Sequence, residues 1–175
     1  MSVLATTDEV ADDQLLLDLL NSTPRADGVP TDALDDRAAS RAWQMAHGGR
    51  GTPAELARVR AARDVLQGVV RDLESPSSLA PFTEKVHYRP VATDDGLAWT
   101  LDVAADEALA VRAILAWDRL RQTAPGRLRP CANDECSLFL LDRSKANTAR
   151  WCSMAVCGNR MKARRHYQRR RELQD

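Results

Sequence analysis

The chain of 175 residues has no cysteine before position 131, no net charge, and no apolar run near the ~18 residues of a membrane span. Its first thirteen residues hold acids (Asp8, Glu9, Asp12, Asp13) and no Lys or Arg, where a secretory signal carries basic residues. No sequence repeat is found, and no Ser, His and Asp grouping or paired-carboxylate constellation stands out. His47, His87 and His166 are scattered without metal-ligand spacing. The length excludes a large multidomain enzyme. Hydrophobic residues at 44% and charged residues at 29% are ordinary globular values, unlike a disordered or fibrous chain. The expectation is a folded, soluble, cytoplasmic protein that is not an enzyme, with no catalytic residue and no membrane partner.

Zero net charge hides a division along the chain. Residues 1–126 hold 13 Lys/Arg and 20 Asp/Glu, a balance of −7, and residues 127–175 hold 12 and 5, a balance of +7. Phosphate neutralisation supplies most non-specific nucleic-acid affinity, so a short basic segment fits a polyanion-binding module; a solvated charged helix is the competing reading.

All four cysteines, Cys131, Cys136, Cys152 and Cys157, fall in that basic segment, as C-x4-C, fifteen residues, C-x4-C. Each short loop can bring two thiolates to adjacent corners of a zinc tetrahedron. Disulfides do not persist in a reducing compartment, so zinc competes mainly with an iron–sulfur cluster or redox thiols. Four thiolates fill the zinc shell, whereas catalytic zinc keeps an open position, so one structural Zn2+ per chain is expected. A segment of about fifty residues buries little core, and the metal would supply its folding free energy.

Between the pairs, residues 137–141 (Ser-Leu-Phe-Leu-Leu) read as a strand, and Asn147-Thr148 as a turn. Ser153 is a candidate N-cap for a helix from about residue 154 to 172 with Cys157 in its first turns. Knuckle, hairpin and helix follow one another in a treble-clef-like order, with Phe139, Leu141 and Trp151 expected as a small apolar core around the metal. The helix carries Arg160, Lys162, Arg164, Arg165, Arg169, Arg170 and Arg171, with Asn159 at its start. Such density repels itself unless a polyanion is near, and Arg and Asn can also read base edges. A flexible basic tail and a helix docked on the chain's own acidic part compete with that reading.

Arg127-Leu128-Arg129-Pro130-Cys131-Ala132-Asn133, the stretch 138–144, Trp151-Cys152-Ser153-Met154, Cys157-Gly158-Asn159-Arg160 and Lys162 together resemble the CGNR-type zinc finger of bacterial proteins. The resemblance covers residues 127 to about 171. It implies Cys131, Cys136, Cys152 and Cys157 as ligands and places Asn159, Arg160 and Lys162 on the motif helix. The family carries an N-terminal domain called ABATE and is regarded as stress-induced transcription regulators.

The N-terminal part reads as mainly helical. Residues 14–22 form a buried strand or a helix end; 31–47 show helical intervals closed by Gly48-Gly49. Thr52-Pro53-Ala54-Glu55 is a capping box opening a helix over 53–74. Residues 75–78 read as a linker, and 84–90 and 97–103 as a β-hairpin turned at Asp95-Gly96 and packed on that helix. Asp106-Glu107 opens a last helix to about 122, and residues 124–126 form the boundary. The Gly48-Gly49-Arg50-Gly51 loop lacks the Lys-Ser/Thr of a phosphate loop and is read as a helix stop.

The expected fold class is therefore α+β: a mainly helical N-terminal domain with a β-hairpin (1–124, ABATE-like), followed by a small treble-clef-like zinc module ending in a basic helix (127–175). The expected function is a zinc-containing, DNA-binding transcriptional regulator, stress- or ligand-responsive through its N-terminal domain. Expected DNA contacts are Asn159, Arg160, Lys162, Arg164, Arg165 and Arg169, with Asn159 and Arg160 either reading bases or bracing the zinc turn. DNA, a small-molecule effector in the N-terminal domain and a second copy of the chain are the expected partners. The alternative keeps the zinc module as a protein–protein or RNA interaction unit without sequence-specific DNA binding.

Overall fold

A computed structural model describes residues 6–26 and 28–172, so the ends of the expected segments 1–124 and 127–175 lie outside the described residues. Three long helices form the core: α1 (Thr6–Leu20), α3 (Pro53–Val70) and α5 (Ala108–Thr123). Each of the three packs against the other two. The shorter helices α2 (Arg37–Ala46) and α4 (Ala80–Thr83) flank them. Three two-stranded antiparallel sheets complete the fold: β1–β2 (Arg25–Ala26, Val29–Pro30), β3–β4 (His87–Thr93, Gly96–Asp102) and β5–β6 (Leu128–Pro130, Phe139–Leu141). A basic helix, α6 (Asn159–Glu172), follows the last. No described helix is long and apolar enough to cross a membrane.

The leucine-rich opening resolves as helix. Leu15, Leu16, Leu19 and Leu20 are fully buried, and their i, i+1, i+4, i+5 spacing puts them on one helical stripe. Ser22 ends α1 by donating its hydroxyl to the Leu19 carbonyl (2.8 Å). Asp36 caps α2 through the Ala39 N–H (2.7 Å), so the helix begins later than the periodicity over 31–47 suggests.

Helix α3 starts as its capping box predicts, with Thr52 Oγ1 accepting from the Glu55 N–H (3.1 Å), and buries Val59, Ala62, Leu66 and Val69. It stops at Val70 rather than 74. Asp72 takes a left-handed φ of 57°, letting the Leu73 and Glu74 N–H groups turn back to the Gly68 carbonyl. Glu55 is buried and accepts from the backbone N–H groups of Arg50 (2.8 Å) and Gly51 (3.0 Å). The glycine-rich loop thus cradles the protein's own carboxylate. A Cβ at Gly49 would stand 2.5 Å from Leu109 Cδ1 and 2.7 Å from Glu55 Oε2, so the loop closes only with glycine there.

The expected linker after α3 is a 3-10 turn, Pro76–Leu79, running into α4 and burying Leu79 and Phe82. The β3–β4 hairpin pairs His87 with Asp102 through Thr93 with Gly96, which leaves Asp94-Asp95 at the tip. It does not pack on α3 as expected. Tyr88, Trp99 and Leu101 instead line a cavity of about 770 Å³ shared with α5 and α1, through Leu115, Arg112 and Glu9. The strand alternation is legible in the sequence, but which helix it faces depends on chain reversals that no local pattern encodes.

The expected small apolar core around the cysteines is also revised. Phe139 is 1% exposed and joins the core of α1, α3 and α5, with Leu128 and Leu141 packed against the same cluster. Asn21, at the end of α1, accepts from the Phe139 N–H (2.7 Å) and donates to its carbonyl (3.2 Å), occupying the place of a neighbouring strand. Ser137 donates to the Thr23 carbonyl (2.9 Å). Arg71 donates to the Ser137 carbonyl (2.6 Å), with its guanidinium 4.1 Å from the Phe139 ring centroid. Trp151 stays beside the cysteines.

Two outcomes follow from this packing. Phe139→Ala should destabilise the chain by about 3–5 kcal/mol, the usual range for deleting a buried aromatic ring, and the loss should appear in the far-UV signal of the helices during urea unfolding. A loss under about 1 kcal/mol would contradict the shared packing.

The second concerns His47, which packs against Trp43 with the rings tilted by 52° (4.5 Å between centroids) and with Asp18 3.5 Å away. Burial lowers its pKa below the ordinary 6.5; Asp18 opposes the shift and Arg112 adds to it. The unfolded chain then binds the proton more readily. This contribution is intact above about pH 6.5 and is lost as pH falls through the lowered folded value. His47→Gln should flatten the decline in urea midpoint between about pH 7 and 5.5, and an unchanged slope would contradict it.

Candidate metal centre

Strand β5 delivers Cys131 to the site, where its N–H donates to the Leu138 carbonyl (2.8 Å). Asn133, fully buried, shapes the first knuckle: its carbonyl accepts from the Cys136 N–H (2.8 Å) and its side-chain oxygen from the Glu135 N–H (3.4 Å). The Ala132 N–H donates to the Arg150 carbonyl (2.8 Å) and ties the two knuckles together.

Between them the chain is held by a buried carboxylate. Asp142 accepts from the backbone N–H groups of Ser144 (2.9 Å) and Ala149 (2.8 Å) and pairs with Arg129 (2.7 Å). Its pKa is lowered to about 2, first by the Ser144 side chain, then by the Ser144 and Ala149 N–H groups and the Arg129 charge, against the opposing effect of burial. Arg129 also reaches the carbonyl of Ala149 and the side chain of Asn147, which turns the chain at a left-handed φ of 49°.

The second knuckle departs from the expected regular helix. Met154–Gly158 form a π-turn, capped by Ser153 Oγ accepting from the Val156 N–H (3.3 Å) and closed by Gly158 N–H to the Ser153 carbonyl (3.0 Å). The wider i→i+5 turn presents Cys157 to the other cysteines before α6 starts at Asn159. Gly158 permits it, since a Cβ there would lie 2.9 Å from Met154 Sδ and 3.2 Å from Trp151 Cδ1.

All four cysteines are free of disulfides, and their sulfurs lie within 4.8 Å of one another. The Cys136–Cys152 and Cys152–Cys157 separations are both 3.7 Å. A tetrahedron with Zn–S bonds of about 2.3 Å has an edge of about 3.8 Å, so the donor set fits zinc. Donors surround the sulfurs: Leu138 N–H to Cys136 (3.5 Å), Cys152 N–H to Cys131 (3.5 Å) and the Asn133 amide to Cys157 (3.6 Å). Such hydrogen bonds favour thiolate over thiol. Without metal, burial pushes the Cys136 and Cys152 thiols up. Burial pushes Cys157 up too, but hydrogen bonds from Asn133 and the neighbouring cysteines bring it below the ordinary thiol value. The donor set is that of a single structural zinc site: Cys131, Cys136, Cys152 and Cys157 would hold the ion, which would supply the positive charge that keeps four thiolates together.

Of the residues expected to contact DNA, the structure places Asn159, Arg160, Lys162, Arg164, Arg165 and Arg169 on α6, directly after the metal turn. Asn159 donates its amide to the Ala155 carbonyl (3.2 Å), so in this structure it braces the turn. Arg160 and Arg164 both reach Glu135 of the first knuckle. Lys162 and Arg165 make no ion pair among the described residues. The described ion pairs of α6 go to Glu135 within the module and none to the acidic helical part, contrary to the docked-helix alternative. Sequence reasoning passes over the pairings of Glu135 with Arg164, Asp142 with Arg129, Arg71 with Ser137 and Asn21 with Phe139, which span 13 to 118 positions.

Two knuckles, four sulfurs within 4.8 Å of one another and a following helix define a zinc-finger module. Residues 127–170 match the family model of the CGNR zinc finger. No curated protein matches the chain.

Purified without added zinc, the chain should carry about one zinc, and Cys157→Ser should lose it. Asn133→Ala should weaken zinc binding by about 10–100-fold in competition with a chromogenic chelator, because the Cys157 sulfur loses its amide donor. Unchanged affinity would contradict that role.

Proposed function

We propose that the protein is a zinc-containing, DNA-binding transcriptional regulator whose C-terminal module, of treble-clef-like order, presents α6 to duplex DNA. One observation carries the reading: a helix with seven cations, Arg160, Lys162, Arg164, Arg165, Arg169, Arg170 and Arg171, extends from a metal-fixed turn while its described ion pairs engage a single carboxylate. Lys162, Arg165 and Arg169 meet phosphates. Arg160, at the helix start, is placed to reach a base edge, and Asn159 does so only by giving up its bond to Ala155. Residues 1–124 act as an ABATE-like domain that responds to stress or to a small-molecule effector. An open cleft of about 410 Å³ between the ends of α3 and α5 and strand β5, lined by Trp117 and Leu128 among others, is the candidate place for that effector. The protein works in the cytoplasm, without catalytic activity, as a homodimer on its operator.

The test is salt-dependent binding of the zinc-loaded chain to duplex DNA, followed by recovery of bound genomic fragments. Arg165→Ala or Arg169→Ala should weaken all sequences alike and flatten the slope of log affinity against log salt by about 1, whereas Arg160→Ala should change the preference among sequences. If neither duplex nor genomic DNA is bound in a salt-dependent way, the module is a protein- or RNA-interaction unit instead.

A further inference from the structure

The cations of α6 are not equivalent. Arg160 and Arg164 stand one helical turn apart on the side facing the first knuckle. Arg160 Nη1 lies 4.0 Å from Glu135 Oε2, and Arg164 Nη2 bonds the other carboxylate oxygen, Oε1. Glu135 is well placed for this, because its N–H is held by the Asn133 side chain and the next residue is the zinc ligand Cys136. One carboxylate therefore sits between two guanidinium groups at a position fixed by the metal centre. Lys162 and Arg165 have no such partner among the described residues.

Guanidinium groups bind carboxylate and phosphate oxygens with the same planar fork. We propose that Glu135 is a specificity-determining residue, its carboxylate taking the place of the nucleic-acid groups that Arg160 and Arg164 meet, a base edge for Arg160 and a phosphate for Arg164, and needing to be displaced before either side chain contacts nucleic acid. The proposal rests on the DNA-binding reading of α6 and refines it. Side chains of Glu135, Arg160 and Arg164 are 55%, 53% and 41% exposed, so water and salt screen the contact and a well-fitted phosphate can replace it. A loosely associated polyanion meets two cations of which one charge is already offset, releases fewer counterions and gains less affinity. Glu135 thereby lowers generic binding, while a duplex that seats fully against the helix recovers both arginines. Lys162, Arg165 and Arg169 carry the first encounter.

The experiment uses the zinc-loaded full chain, its Glu135→Gln variant, and both forms in an Arg160→Ala/Arg164→Ala background. Two probes are read: the salt concentration of elution from heparin, and affinity for a random-sequence duplex of about 20 base pairs across a salt series. Glu135→Gln should elute later and bind the random duplex about 3–10-fold more tightly near 0.1 M salt, with a slope steeper by about 1, for the one charge released. The same substitution should change nothing in the background lacking both arginines. Equal or weaker binding by Glu135→Gln, or loss of its zinc, would overturn the proposal and make Glu135 a strut of the knuckle. If neither form binds duplex DNA, the DNA reading fails, and heparin then decides Glu135 by itself: later elution supports the proposed role, and co-elution overturns it.

Discussion

Four buried or half-buried sulfurs cannot all carry charge side by side without a cation among them, and the rest of the C-terminal structure depends on that constraint. Zinc makes the four thiolates compatible. Once they converge, residues 131–136 and 152–157 are fixed relative to one another, and each adjoining segment inherits a defined position. Strand β6 leaves Cys136 toward the helical core, and α6 leaves Cys157 toward solvent. A metal site that performs no chemistry of its own is therefore the origin of both the internal anchor and the outward-facing basic helix.

The anchor runs through three residues. Ser137, Leu138 and Phe139 follow Cys136 directly, and Ser137 and Phe139 engage Asn21, Thr23 and Arg71 at the ends of α1 and α3. The Leu138 N–H meanwhile donates to the Cys136 sulfur. Loading of the metal and packing of the helical core are thus joined by a short, hydrogen-bonded segment, so a disturbance on one side has a direct physical route to the other.

The metal site is legible because it is encoded by residue type and spacing: four cysteines in two short loops restrict where the chain can go. The capped start of α3 and the tip of the β3–β4 hairpin are legible for the same local reason. Residues 14–22 are not, since a short leucine-rich run suits a strand or a helix equally, and only the three-helix core decides. The π-turn at residues 154–158 reads as ordinary helix because nothing local distinguishes the two; the demand that Cys157 reach the other sulfurs widens the turn. The destination of Phe139 and the pairing of Glu135 with Arg160 and Arg164 depend on partners far along the chain. In the sequence Glu135 is one more acid in a knuckle, and only the return of the helix beside it gives it a role.

In the proposed function the metal, and not basicity alone, fits α6 to bind DNA. The most direct test is to titrate zinc into the metal-free full chain while following binding to a fixed duplex at constant salt. Binding should rise in proportion to added zinc and level off at about one equivalent per chain. Equal binding by the zinc-free and zinc-loaded chains would contradict the account and reduce α6 to a charged tail.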